Sequence, residues 1–238
     1  MTETTLLFDL DGTLLGLDVR RFLPRYLNAM TGHLRPLLPP DVARRRIEAG
    51  IAAMLAPHPG VTNAQAFRSA FVPQGDPLGL EARAMGFYTA GFEELRVETE
   101  PVPLARAVVT AARERGYTLA VVTDPLYPRV AMEARIRWSG LDPAEFAEIT
   151  AFERYDAVKP DPRFYAEVLR VLGAEATSAW MIGNDAVRDL AAARVGIRTF
   201  LVEGPYTVGE GAGDRSGTVA ALLEWIRSGG PGSPAGSG

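Results

Sequence analysis

Four short stretches of this 238-residue chain carry side chains that can do chemistry together. Asp9-Leu10-Asp11-Gly12-Thr13 sets two carboxylates two residues apart at the end of an apolar run, followed by a turn glycine and a hydroxyl. Thr123-Asp124-Pro125 ends a second apolar run. Gly183-Asn184-Asp185 ends a later one, with Asp189 one helical turn farther along. Between them stands Lys159-Pro160-Asp161-Pro162, which holds the only lysine; the other 24 of the 25 cationic side chains are arginines. Where charge alone suffices this chain carries Arg, so the exception marks a place that wants a compact ammonium on a slim stem.

Carboxylates crowded together repel and do not all ionise unless a cation sits among them. The chain has no Cys, and its two His, His33 and His58, are not at metal-ligand spacing. The available donors are therefore oxygens, which select a hard ion, and Mg²⁺ suits a site that keeps some waters. Asp9 and Asp185 read as its side-chain ligands. A carboxylate tethered to such a metal beside a lysine and a hydroxyl is equipped for phosphoryl transfer, one Asp oxygen attacking phosphorus while the cations hold the charge of the equatorial oxygens. A second acid must then protonate the leaving alkoxide and later deprotonate water, and Asp11 is placed for that. Each element alone is ordinary: Asp-x-Asp-Gly is commonly a turn, and Asp189 can merely cap a helix. The argument lies in their coincidence in this order on one rim.

That rim requires a particular scaffold. Thr4 to Asp9 reads as a buried strand, and alternation resumes after Pro101, with strands expected in Thr118–Thr123, Glu148–Ala151, Ala179–Ile182 and Thr199–Val202. Helices are expected over Pro103–Arg115, Pro128–Trp138, Pro162–Gly173, Ala186–Val195 and Val219–Ile226. Strands separated by helices of this length form right-handed βαβ units, hence an α/β fold with a doubly wound parallel sheet. In such a sheet ligands bind outside the carboxyl ends of the strands, where all four stretches fall. From Gly16 to Glu100 the pattern is helical without strands: Val19–His33, Asp41–Leu55, Asn63–Phe71 and Leu80–Val97. The expected organisation is a core of residues 1–15 and 101–227, a helical insertion of 16–100, and a mobile tail from Ser228 to Gly238.

The net charge of −4 and the absence of a basic face argue against nucleic acid as a partner. No stretch is apolar enough to span a membrane, and the first residues lack the basic start of a secretory signal, so a cytoplasmic monomer or homodimer is expected.

Phe8-Asp-Leu-Asp-Gly-Thr-Leu-Leu15, Thr123, Lys159-Pro-Asp-Pro and Gly183-Asn-Asp-Ala-Val-Arg-Asp189 together resemble the four ordered motifs of the haloacid-dehalogenase-like (HAD) hydrolases. The resemblance implies a Rossmann-like core and a phosphoaspartate intermediate on Asp9, with Asp11 as acid/base. It implies phosphoryl binding by Thr123 and Lys159, and Mg²⁺ held by Asp9, the main-chain carbonyl of Asp11 and Asp185, with Asn184 and Asp189 in support. The insertion resembles the family's C1-type cap, which selects the substrate. Members that dehalogenate lack an acid at the position of Asp11, so the resemblance points to a phosphatase acting on a small phosphate monoester. A phosphomutase and a non-catalytic phosphate binder are the alternatives. The segment from Thr123 to Leu141 looks like a branch that usually has Asn where this chain has Asp124. A carboxylate about 5 Å from a phosphoryl group would repel it by roughly 3 kcal/mol per charge pair at an effective dielectric near 20, unless it turned away or bound a proton.

Overall fold

The computed structural model describes residues 3–72 and 75–232. Six strands form one parallel sheet: β1 (Thr5–Phe8), β4 (Thr118–Val121), β5 (Glu148–Ile149), β6 (Ala179–Gly183), β7 (Arg198–Val202) and β8 (Arg215–Gly217). Their spatial order is β5-β4-β1-β6-β7-β8, so the chain runs outward in one direction from β1 and returns to build the other half. That reversal puts a crevice beside the carboxyl end of β1, the usual ligand position in such sheets.

The strands alternate between two apolar layers because successive side chains point to opposite faces. Leu6 and Phe8 pack on one face with α5 (Ala105–Glu114), α6 (Arg129–Trp138) and α8 (Val219–Arg227). Leu7, Ala120, Val122 and Met181 pack on the other against Phe164, Tyr165 and Val168 of α7 (Pro162–Leu172). Asp161 caps α7 by accepting from the Arg163 amide, Pro162 stands in its first turn, and Gly173 ends it with left-handed φ. This stop and start fixes the loop that carries Lys159.

Four helices precede the second half of the core: α1 (Val19–Leu34), α2 (Pro40–Leu55), α3 (Asn63–Phe71) and α4 (Leu80–Ala90). They join the core through two short antiparallel strands, β2 (Leu15–Leu17) and β3 (Thr99–Pro101), where no strand was expected. Three residues are too few to show periodicity. The stretch read as one helix over Leu80–Val97 breaks at Gly91, against which the Phe87 ring packs, and continues as a 3₁₀ turn over Phe92–Glu98. The helix expected over Ala186–Val195 is only a 3₁₀ helix over Leu190–Val195. Its first turn is diverted: the Asp185 carboxylate accepts from the Val187 and Arg188 amides, and Asp189 accepts from the Asp185 amide. β8 was also not foreseen. Of the tail expected to be mobile from Ser228 onward, residues 228–232 are described, and the Tyr117 hydroxyl donates to the Gly229 carbonyl there; residues 233–238 lie outside the described residues. Among the described residues no helix is long and apolar enough to cross a membrane.

The insertion also touches the core away from the β2–β3 pair. At the start of α3 the Asn63 and Ala64 amides donate to the Tyr155 and Phe152 carbonyls, each at 2.8 Å. The fully buried Asn63 side chain donates to the Pro125 carbonyl at 2.9 Å and pairs with His58 Nε2 at 2.6 Å. Asn63→Ala strips both contacts and leaves buried polar groups unpaired, so an equilibrium unfolding experiment should find it less stable by about 1–3 kcal/mol. An unchanged midpoint would show that the contact contributes nothing.

Candidate active site

The carboxyl ends of β1, β4 and β6 and the loop before α7 enclose a cleft of about 820 Å³. Asp9 follows the last residue of β1, its amide donating to the Ile182 carbonyl of β6, so the strand pairing itself aims it. Lys159 is 2% exposed, and its Nζ lies 2.8 Å from Asp9 Oδ1 and 2.5 Å from Asp189 Oδ1. Asp189 also accepts from the Asp185 amide with its other oxygen, so one buried carboxylate fixes both the ammonium and the loop after β6. Burial, opposed by the Lys159 ammonium and reinforced by Asp189 and Asp11, pushes the Asp9 carboxyl up to about 7. Burial alone would pull the lysine down, but Asp189 and Asp9 outweigh it and hold the amine charged beyond the ordinary lysine range.

Close packing accounts for the glycines of the motifs. Gly12 has φ +84°, and a Cβ there would collide with Asn184 and Tyr206. Asn184 instead accepts from Thr13 Oγ1 at 2.9 Å and donates to the Tyr206 carbonyl at 2.6 Å, tying the loop after β1 to that after β6. At Gly183 a Cβ would strike the Asp189 carboxylate. Thr123 is held through its backbone: its amide donates to Thr150 Oγ1 at 3.0 Å, and that hydroxyl donates back to the Thr123 carbonyl at 2.6 Å.

All eight residues singled out from the sequence, Asp9, Asp11, Thr123, Asp124, Lys159, Asn184, Asp185 and Asp189, line this one cleft. Six aspartates and three cationic side chains line it in total. That excess of negative charge fits a bound cation held by oxygen donors. Among the described residues no three His, Cys, Asp or Glu side chains converge as a metal cluster. The expected donor set is compatible with this, since it has only two carboxylate side chains and takes its third donor from the main chain.

Residues 4–196 match the family model of the haloacid dehalogenase-like hydrolases. The chain belongs to that family. Among curated relatives, a phosphoglycolate phosphatase of Caulobacter vibrioides is 28% identical over 87% of this chain and 82% of its own. A glyceraldehyde 3-phosphate phosphatase of Pyrococcus abyssi is 29% identical over about half of each chain. A HAD phosphatase structure from Thermococcus onnurineus has the same fold, with TM-score 0.59 and 22% identity over 94% of this chain and 97% of that one. This HAD hydrolase stands among the family's phosphatases, as a phosphoric monoester hydrolase.

For Asp124, one of the arrangements left open by the sequence is present. Its carboxylate is not left to oppose an anion: Oδ1 accepts from the Lys159 amide at 2.9 Å, and Oδ2 is paired with Arg188. Burial raises its pKa, while Arg188 and Lys159 pull it back down. Sequence reasoning passed over Arg188, although it sits inside the Gly183–Asp189 motif. It also passed over Thr150, and over Arg135, which stands on the buried stripe of α6 with Ala131, Met132 and Ile136 and pairs with Asp11.

Two outcomes follow from this HAD site. Asp124→Asn releases the Arg188 guanidinium into the cleft, so inorganic phosphate should inhibit more strongly. Arg188→Met leaves Asp124 uncompensated and should weaken that inhibition; equal inhibition constants in all three proteins would show that the pair does not influence the cleft. The second concerns acidity. The folded chain holds the Asp9 proton more tightly than an unfolded chain with the ordinary value of 3.8, so stability is lost as pH rises from about 4 to about 7. Metal-free protein should therefore melt at a lower temperature at pH 7.5 than at pH 5.5, and Asp9→Asn should reduce the difference.

Proposed function

We propose that this hydrolase is a Mg²⁺-dependent phosphatase of small, polar phosphate monoesters, working through a phosphoaspartate on Asp9. The observation that carries the reading is the buried Lys159 ammonium shared by Asp9 and Asp189 at the base of a polar cleft. Asp9, Asp185 and the main-chain carbonyl of Asp11 are the groups that would hold the metal. Bound there, Mg²⁺ neutralises charge on the transferring phosphoryl group and on the nucleophile.

Lys159 fixes the Asp9 carboxylate and supplies positive charge where charge develops at phosphorus. An Asp9 oxygen forms the new bond to phosphorus as the ester oxygen departs, and Asp11 gives that oxygen a proton. Water then attacks the phosphoaspartate, losing its proton to Asp11, and phosphate leaves. Thr123, on a backbone pinned by Thr150, binds the phosphoryl oxygens. Arg20, Arg188, Tyr206 and Thr207 line the rest of the cleft, which suits a hydrophilic, anionic leaving group. Phosphoglycolate, the substrate in the name of the Caulobacter relative, is the first ester to test.

Phosphate release from phosphoglycolate, sugar phosphates, nucleoside monophosphates and flavin mononucleotide tests the proposal. Turnover should require Mg²⁺, stop with chelator, and vanish in a folded Asp9→Asn protein. Isomerised ester without free phosphate would identify a mutase, and full activity in Asp9→Asn would sink the mechanism.

Lys159 gives a separate test. Lys159→Ala should lower kcat by a factor on the order of 10² or more, as for loss of other preorganised electrostatic partners. Lys159→Arg should not restore it, because a planar guanidinium does not fit between two carboxylates spaced for one ammonium. A fully active Arg variant would mean that charge alone is required.

A further inference from the structure

One buried charge has no part in the chemistry so far. Arg135, in the middle of α6, is 2% exposed, and its guanidinium pairs with Asp11 Oδ1 across 124 residues of sequence. Its other contacts are weak. Nη1 reaches only the Met132 sulfur at 3.6 Å, and Nε has no hydrogen-bond partner among the described residues. Two rings complete the environment: Tyr127, 5.0 Å from the guanidinium carbon, and Phe22, 5.8 Å from it. A guanidinium buried with one ionic partner is a poor source of stability, since desolvation consumes most of the attraction, and an apolar side chain of similar size would usually serve the core as well. What this one does provide is a fixed donor behind a carboxylate that itself faces the cleft, 24% exposed.

We propose that Arg135 is the positioning residue of the acid/base: it holds Asp11 Oδ1, leaving Oδ2 to carry the proton exchanged with the leaving oxygen and then with water. The inference rests on the acid/base role given to Asp11 above. The balance is simple. As the Asp9–phosphorus bond forms and the phosphorus–ester oxygen bond breaks, the proton on Oδ2 moves to the departing oxygen. When water attacks phosphorus, its proton returns to Oδ2 and Asp9 is released. Arg135 neither gains nor loses a proton in either step. Phe22 lies on α1 of the cap and Tyr127 in the loop after Thr123, so the guanidinium is clasped between cap and core. Tyr26, one turn farther along α1, packs edge-on to Tyr127 at 5.3 Å and strengthens that clasp. Seating of α1 and orientation of Asp11 are thereby parts of one arrangement.

The test separates proton donation from everything else by varying the leaving group. p-Nitrophenolate departs without a proton, whereas an alkoxide needs one. First-turnover leaving-group release from p-nitrophenyl phosphate and from the best alkyl phosphate of the substrate panel is measured for the wild type, R135M, R135K, D11N and D11N/R135M. D11N should lower the alkyl-to-aryl rate ratio by about 10²-fold or more, the usual contribution of general acid catalysis. R135M should lower it about tenfold, R135K less, and R135M should not change it further in the D11N background.

A ratio unchanged in R135M with a cooperative melt, or a further fall in the double variant, would overturn the proposal. If R135M does not melt cooperatively, R135K decides: it keeps the charge but loses the planar face shared with the two rings, and a wild-type ratio overturns the positioning role. A wild-type ratio in D11N would instead remove the acid/base assignment of Asp11, a distinguishable failure that takes this inference with it.

Discussion

A single ammonium buried between two carboxylates is the constraint around which this candidate active site is arranged. Lys159 is almost wholly out of water, where an uncompensated charge would cost several kcal/mol, so Asp9 and Asp189 must both reach it. Asp9 is brought there by the parallel pairing of β1 with β6, Asp189 by the tight turn after β6, and Lys159 by the capped start of α7. Three separate chain segments thus meet at one nitrogen. Because Asp189 also holds the Asp185 amide, the same contact sets the loop that offers a second carboxylate to the cleft.

The remaining charges repeat this logic with arginine. Asp11 is backed by Arg135, and Asp124 by Arg188. Carboxylates that would otherwise repel each other and an incoming anion are divided among separate cations. Burial lifts the Asp9 carboxyl to about 7 against the pull of Lys159, and Asp189 and Asp11 add to the rise.

Much of this was legible in the sequence, for a physical reason. The strand-end motifs are local, and a glycine, an aspartate and a lysine at short spacing carry the same geometry wherever an apolar strand feeds them. The doubly wound sheet and the four helices of the insertion followed from periodicity. The contacts that escaped were long-range or brief. Arg135 meets Asp11 across 124 residues, and only its position on an otherwise apolar helical stripe hinted at burial. β2, β3 and β8 are three residues each, too short to display alternation. The helix expected after Gly183 was replaced by a 3₁₀ turn because the aspartates that belong to the site captured its first amides, a competition that propensity does not register.

The lone lysine has a consequence for covalent chemistry. Reagents that acylate, carbamylate or glycate side-chain amines act on the uncharged amine in contact with solvent, and here every ε-amino group of the chain is one atom, buried and held protonated by two carboxylates. The exterior presents guanidinium groups instead, which such reagents do not attack under mild conditions. The folded protein is consequently inert at its side-chain amines, and any adduct at Lys159 would record a molecule in which this cleft had come apart.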